Sequence, residues 1–151
     1  MLDRISRNLL RALQADSRLT LQELAERVGL SPTPCWRRIK ALEQSGILRR
    51  YTVLLDRHQL ELGFCALATV SLTRHVADSV ERFEAAMQRA AEVVECYRVT
   101  GDGDYAIKVL VADARAYDLF LHEKIFKLGV VASMRSNIAL REVKYETALP
   151  V

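Results

Sequence analysis

Hydrophobic positions recur with a helical period through the first third of the chain. Ile5, Leu9, Leu10 and Leu13 share one side of a helical wheel, with Asp3, Arg4, Arg7 and Arg11 elsewhere, which predicts an amphipathic helix ending near Ala15, Asp16 and Ser17. Thr20 with Glu23 three residues on forms a capping box, and Leu21, Leu24, Ala25 and Val28 make a second apolar stripe that stops at Gly29. In the stretch SPTPCWRRIK, Ser31 is expected as N-cap, with Pro32 at the first helical position and Pro34 at the third. A missing N–H there deletes no intrahelical bond, although Thr33, which precedes a proline, is disfavoured in the α region. Cys35, Ile39 and Leu42 then recur as an inward stripe, while Thr33, Arg37 and Lys40 share the opposite face and Trp36 and Arg38 flank it. Gly46 ends this helix, and residues 47–55 read as extended chain, a wing and the strand leading away.

Past a polar hinge at residues 56–63 the period changes to two. Phe64–Leu72 is apolar on both faces, as expected of a strand covered on both sides. Val80, Phe83, Met87 and Ala90 mark a helix, and strands at 93–100 and Tyr105–Val111 flank the turn Gly101, Asp102, Gly103, Asp104. A helix capped by Asp113 carries Tyr117, Phe120, Leu121, Ile125 and Leu128, and a last strand runs over about 132–140. Three helices with a short turn between the second and third describe a helix-turn-helix, and the order β-α-β-β-α-β is ferredoxin-like, so the class is α+β. The expected organisation is a winged helix-turn-helix at 1–50, a wing and hinge at 51–62, and a ferredoxin-like effector and oligomerisation domain at 63–151. A second copy of the sheet is the simplest cover for the apolar outer face, and a homodimer would place two third helices about one axis, as a two-fold DNA site requires.

Charge sharpens that picture. Residues 1–50 hold 10 Lys and Arg against 5 Asp and Glu, whereas residues 51–151 hold 12 against 14. The positive charge belongs to the helix-turn-helix, where Arg49 and Arg50 extend the basic face, and this points to a polyanion. The three cysteines, Cys35, Cys65 and Cys96, show no metal-ligand spacing and are expected as buried free thiols. No apolar run approaches the roughly 18 to 20 residues of a membrane span, so a cytoplasmic location is expected. His58, His75 and His122 are far apart, no nucleophile stands beside a base, and no dinucleotide or phosphate-loop spacing occurs, so no catalytic or metal site and no cofactor is expected. An RNA-binding sheet would need exposed aromatics, for which Tyr97 and Tyr105 are the candidates.

Leu2 to Ile5, the run from Leu24 to Cys35, Arg38, Leu42, Glu43, Gly46, Ile47 and Tyr51, then Val99 to Tyr105 and Arg141 to Lys144, together resemble the Lrp/AsnC (feast/famine) transcription regulators over essentially the whole chain. The resemblance implies a regulator of double-stranded DNA acting on a pseudo-palindromic operator, associated with the nucleoid. It also implies dimers assembling into octamers or other rings, with a small amino acid bound where dimers meet. It carries DNA reading onto Ser31, Thr33, Pro34, Trp36, Arg37, Arg38 and Lys40. Effector binding is carried onto Thr100, Gly101, Asp102, Gly103, Asp104 and Tyr105, with Met134, Ser136, Asn137, Ile138 and Ala139 in the last strand. Pro34-Cys35-Trp36 and the ending from Lys144 to Val151 look most like the DecR-type, cysteine-responsive branch, which makes cysteine or another small or branched amino acid the expected effector. Asp102 and Asp104 could accept an ammonium group and the turn amides a carboxylate; the alternative is that they only close a hairpin. Three positions depart from the family pattern: Gly103 stands where an aromatic is usual, and Arg50 and Arg57 where glycine and proline are common.

Overall fold

The first helix, α1 (Arg4–Ala15), starts where the Asp3 carboxylate accepts the Ser6 amide at 2.8 Å. The computed structural model describes residues 2–74 and 76–151, which leaves His75 outside the described residues. Two compact units form, one from the chain up to Leu54 together with Lys144–Val151, the other from Leu55–Val143.

In the first unit, α2 (Leu21–Val28) has the complete capping box: Glu23 N–H donates to Thr20 Oγ1 at 3.3 Å, and Thr20 N–H donates back to the Glu23 carboxylate at 2.7 Å. It ends at Gly29 in the left-handed conformation, φ 69°, where a side chain would be strained. Leu30 N–H returns to Ala25 O, and the chain enters α3 (Pro32–Gln44). Leu9, Leu13, Leu24, Ala25, Cys35 and Ile39 close a core among the three helices. Burial raises the Cys35 thiol above its ordinary pKa, so it packs as a protonated apolar group.

One expectation for this unit is corrected, that of a strand within 47–55, and one contact of the tail is added to the sequence reading. Residues 47–55 join no ladder, because the unit offers no second strand to pair with them; Leu48 N–H instead turns back to Leu42 O at 3.0 Å. The last eight residues lie on α1. Gln14 holds Leu149 at both its N–H (2.6 Å) and its C=O (3.1 Å), and Arg11 Nε donates to Val151 O at 2.6 Å. Polar side chains on the solvent side of α1 capture backbone here, a contact that leaves no hydrophobic period in the sequence.

The second unit is a four-stranded antiparallel sheet in the order β2-β3-β1-β4, from β1 (Phe64–Leu72), β2 (Val93–Arg98), β3 (Tyr105–Val111) and β4 (Val131–Ile138). Helix α4 (Ser79–Arg89) follows β1. Helix α5 (Ala114–Phe120), capped by Asp113 on the Ala116 amide at 2.8 Å, runs on through a wider turn at Leu121–Ile125 and a tighter one at Phe126–Leu128. Even-numbered β1 residues Ala66, Ala68, Val70 and Leu72 meet Phe83, Met87, Tyr117, Phe120 and Ile125 in one core, so both helices cover the same sheet face. The opposite face carries Leu67 and Tyr97, both about half exposed. β2 stops at Arg98 rather than 100, and β4 at Ile138 rather than 140, since neither has a further ladder partner. Cys35 and Cys65 are buried as expected, but Cys96 is exposed, because β2 is an edge strand.

Candidate nucleic-acid interface and effector turn

Alternation on α3 sorts its side chains cleanly. Cys35, Ile39 and Leu42 are buried; Thr33, Trp36, Arg37 and Lys40 are exposed, with Trp36 at 51%. Arg37, Arg49 and Arg50 are exposed and make no ion pair among the described residues, so their donors are available to a phosphate or a base edge.

Arg38 is placed differently. Its guanidinium Nη1 donates to Asp3 Oδ2 at 2.7 Å and to the buried Ser6 hydroxyl at 3.2 Å. Arg38 thus fastens α3 to the start of α1. Lys40 pairs with Glu43 at 2.7 Å, and Glu43 also accepts from the Tyr51 hydroxyl at 3.3 Å. Its ammonium is exposed but already engaged.

Ser31 occupies the N-cap position but makes no side-chain cap bond. A cap hydroxyl bonds the N–H of the second or third helical residue, and the third is Pro34, which has none. With Pro32 and Pro34 both lacking N–H, and the Cys35 amide spent on Ser31 O at 3.2 Å, the helix start offers far fewer amides than an ordinary N-terminus. The Ser31 hydroxyl and the Thr33 amide are left unbonded among the described residues and are the donors this helix start can offer.

Asp3 is held down from its ordinary 3.8 to about 2, chiefly by the Ser6 amide, then by the Ser6 hydroxyl and Arg38. A depressed carboxylate pKa contributes stability that is present above the unfolded value and is lost as pH falls through the folded one. Thermal melts over a pH series should therefore show this contribution intact above pH 3.8 and fading toward about pH 2. Asp3→Asn should flatten that part of the acid limb while leaving the melt near neutral pH lower than in the parent.

At the turn, Asp104 is structural. Its N–H donates to Val70 O at 2.9 Å, its Oδ2 accepts Leu72 N–H at 2.7 Å, and its C=O accepts Val99 N–H at 3.0 Å. Of the two carboxylates expected to meet an ammonium group, only Asp102 projects without a partner among the described residues. Tyr105 is 2% exposed on the helix-covered face, its ring 4.7 Å from Phe83 and its hydroxyl donating to Glu84 at 2.6 Å. That removes it as an RNA-stacking aromatic. Burial and the Glu84 charge push its hydroxyl up to about 12.

Gly103 explains its own departure from the family pattern. A Cβ built there would lie 2.3 Å from Thr69 Cγ2 and 3.2 Å from Val70 O, so the Thr69 methyl occupies the space where a side chain would begin. Gly103→Ala is expected to cost at least about 1 kcal/mol by overpacking. In a Thr69→Ser background, which deletes that methyl, much of the cost should disappear. A double-mutant cycle on urea midpoints measures the difference, and a purely additive result would contradict the assigned clash.

The β4 residues are not gathered around this turn within one chain. Val70 pairs with both Tyr105 and Met134, but Ala66 pairs with Ile138 and Cys65 O receives Ala139 N–H, at the far end of β1. Four residues of strand separate the two ends by roughly 13 Å. Faces differ as well: Ser136 hydrogen-bonds Tyr117 at 2.7 Å on the helix side, whereas Asn137 pairs with Leu67 on the open side. Thr100 through Tyr105 with Met134 therefore form one locality and Ser136 to Ala139 another.

Sequence reasoning missed the Asp3–Ser6–Arg38 fastening and the tail on α1; Asp3 at a helix start was a visible cap signal, but its reach to residue 38 was not. Among the described residues there is no group of metal-ligating side chains and no helix long and apolar enough to cross a membrane.

Comparison with known proteins divides the chain in the same region between residues 49 and 65, although the second match runs on into the tail that packs on α1. The family description "Winged helix-turn-helix DNA-binding" matches residues 2–49, and "Lrp/AsnC ligand binding domain" matches residues 65–149. The chain is 41% identical over 150 residues to proteins named leucine-responsive regulatory protein from Salmonella typhimurium and from Escherichia coli K12, covering 99% of this chain and 92% of each of those. Among solved structures, a transcriptional regulator of Neisseria meningitidis in complex with L-Met superposes with a TM-score of 0.94 at 38% identity, covering 99% of this chain and 97% of that one. An AsnC family regulator from Agrobacterium tumefaciens gives 0.93 at 40% identity over the same shares.

Proposed function

The chain belongs to the Lrp/AsnC family of DNA-binding transcriptional regulators, and from that premise we propose how its residues divide the work. Helix α3 enters the major groove of duplex DNA, with Arg37 reading a base edge, Thr33 and Trp36 beside it, and the Ser31 hydroxyl with Arg49 and Arg50 on phosphates. Arg38 supports this face from behind by fixing the helix, and Lys40, on the same exposed face as Arg37, adds charge while paired to Glu43. The observation that carries the proposal is the exposed, unpaired Arg37 on a helix whose opposite side is wholly core.

The open sheet face with Leu67 and Tyr97 is the surface on which a second copy packs, giving a dimer that matches a pseudo-palindromic operator. A tetramer of such dimers accounts for an effector site built from separated pieces: the 100–105 turn of one chain with the end of β4 from another. The effector is a small amino acid. The Neisseria relative was solved with L-Met and other relatives are named for leucine, so methionine and leucine rank beside cysteine. The protein acts in the cytoplasm, on the nucleoid.

Selection of bound duplexes from a random pool, read by fluorescence anisotropy with and without amino acids, tests the whole. An enriched two-fold-symmetric sequence whose affinity shifts with one amino acid is expected. Absence of any enriched sequence, or equal competition by RNA, overturns the DNA assignment.

A further inference from the structure

A cleft of about 380 Å³ lies between α4 and the edge strand β2; it borders the 100–105 turn only at Tyr105, includes neither Asp102 nor Asp104, and does not reach the end of β4. It opens where β2 bulges between Val93 and Glu95 and so bends away from its neighbour. The volume falls in the range of small-molecule sites. Its floor is apolar, made by the buried Met87 with Val93 and Cys96. Burial and then the Glu84 charge raise the Cys96 thiol, so it stays protonated and adds to that floor rather than acting as an anion.

Two opposite charges border this floor without meeting. Glu84 is half-buried, and one of its oxygens accepts the Tyr105 hydroxyl at 2.6 Å, which fixes the carboxylate and leaves the second oxygen with no donor among the described residues. Arg98 pairs across the ladder with Tyr105, which puts it on the same sheet face, and it makes no ion pair among the described residues. A fixed carboxylate and an unengaged guanidinium over an apolar floor match a ligand bearing one ammonium, one carboxylate and a short apolar side chain.

We propose that this cleft binds a small zwitterion of the α-amino acid class, its carboxylate on Arg98, its ammonium on Glu84 and its side chain on Met87 and Val93. The site is complete within one chain. It deepens the proposed amino-acid responsiveness by adding a second location, and it rests on that reading for the identity of its ligand class. A chain with both sites would respond in two stages, the contained site filling independently of assembly and the turn site only as chains associate.

Isothermal titration calorimetry with L-methionine on the full chain tests it. Arg98→Met and Glu84→Gln should each weaken the cleft site by about tenfold or more, as loss of a charge-assisted contact does. Arg98 is exposed, and glutamine keeps an acceptor for Tyr105, so both variants should melt like the parent. N-acetyl-L-methionine and L-methioninamide, each lacking one charge, should lose as much on the parent protein. In Asp102→Asn the cleft binding should persist. Parental binding in both cleft variants overturns the proposal. If Asp102→Asn alone abolishes binding, the turn site stands and the cleft falls; if no zwitterion binds any form, both fall together.

Discussion

Phe83→Ala is expected to destabilise the second unit by about 3 to 5 kcal/mol, the range for truncating a fully buried aromatic. Phe83 has no exposed surface and sits at the centre of the sheet and helix core, its ring tilted against Tyr105 at 4.7 Å. Removing it deletes apolar burial and the aromatic pair, and leaves a cavity that the surrounding β1 and β3 side chains can close only partly. Since a domain's whole stability is on the order of 5 to 15 kcal/mol, the variant should lose a large part of its margin. Urea denaturation followed by far-UV circular dichroism measures this, and Phe83→Leu should lose clearly less. Tyr105 and, through its hydroxyl, Glu84 lose their backing in the same variant, so amino-acid binding at the cleft should weaken even where the chain remains folded. A midpoint within error of the parent would contradict the position of this ring.

The second large effect separates two neighbouring arginines. Arg37→Ala should lose about 1 to 3 kcal/mol of operator binding, roughly five- to 150-fold, concentrated at one base pair, with the thermal midpoint unchanged. Arg38→Ala should do the reverse. It strips the Asp3 carboxylate and the buried Ser6 hydroxyl of their partner, lowers the melting temperature of the helix-turn-helix, and reduces affinity for all duplexes alike. Anisotropy titrations against a matched set of single-base operator variants, read beside thermal melts, distinguish the two. If Arg38→Ala relaxed specificity at one base while the melt stayed put, the assignment of Arg38 to a structural role would be wrong.

Most of the architecture was legible because its signals are local. The capping box at Thr20 and Glu23, the left-handed Gly29, and the stripe of Cys35, Ile39 and Leu42 need only a few residues of chain to specify them, and the structure has each in place. The same holds for β1 and β3, whose bounds match their expected limits, and for the Asp113 cap. The 47–55 segment was misjudged because extended character is local but pairing is not: a strand needs a partner, and this unit supplies none. Cys96 was misjudged for a related reason, since whether β2 is an edge depends on strand order, which no residue within β2 encodes.

The functional residues divide along the same line. Sequence by itself determined the family, the two-part plan, the basic third helix and the outward direction of Thr33, Trp36 and Arg37, because helical period fixes direction relative to an apolar stripe. Tertiary structure decided which charges are free to act. Arg38 and Arg37 are adjacent and chemically identical, yet only the fold brings residue 38 within reach of Asp3, thirty-five positions earlier. Likewise Asp102 and Asp104 flank the same glycine, and only the approach of β1 gives Asp104 to the Leu72 amide and puts the Thr69 methyl against Gly103. A side chain's type and direction are set within a turn of its own helix or strand; its partner is set by segments that meet only when the chain has folded.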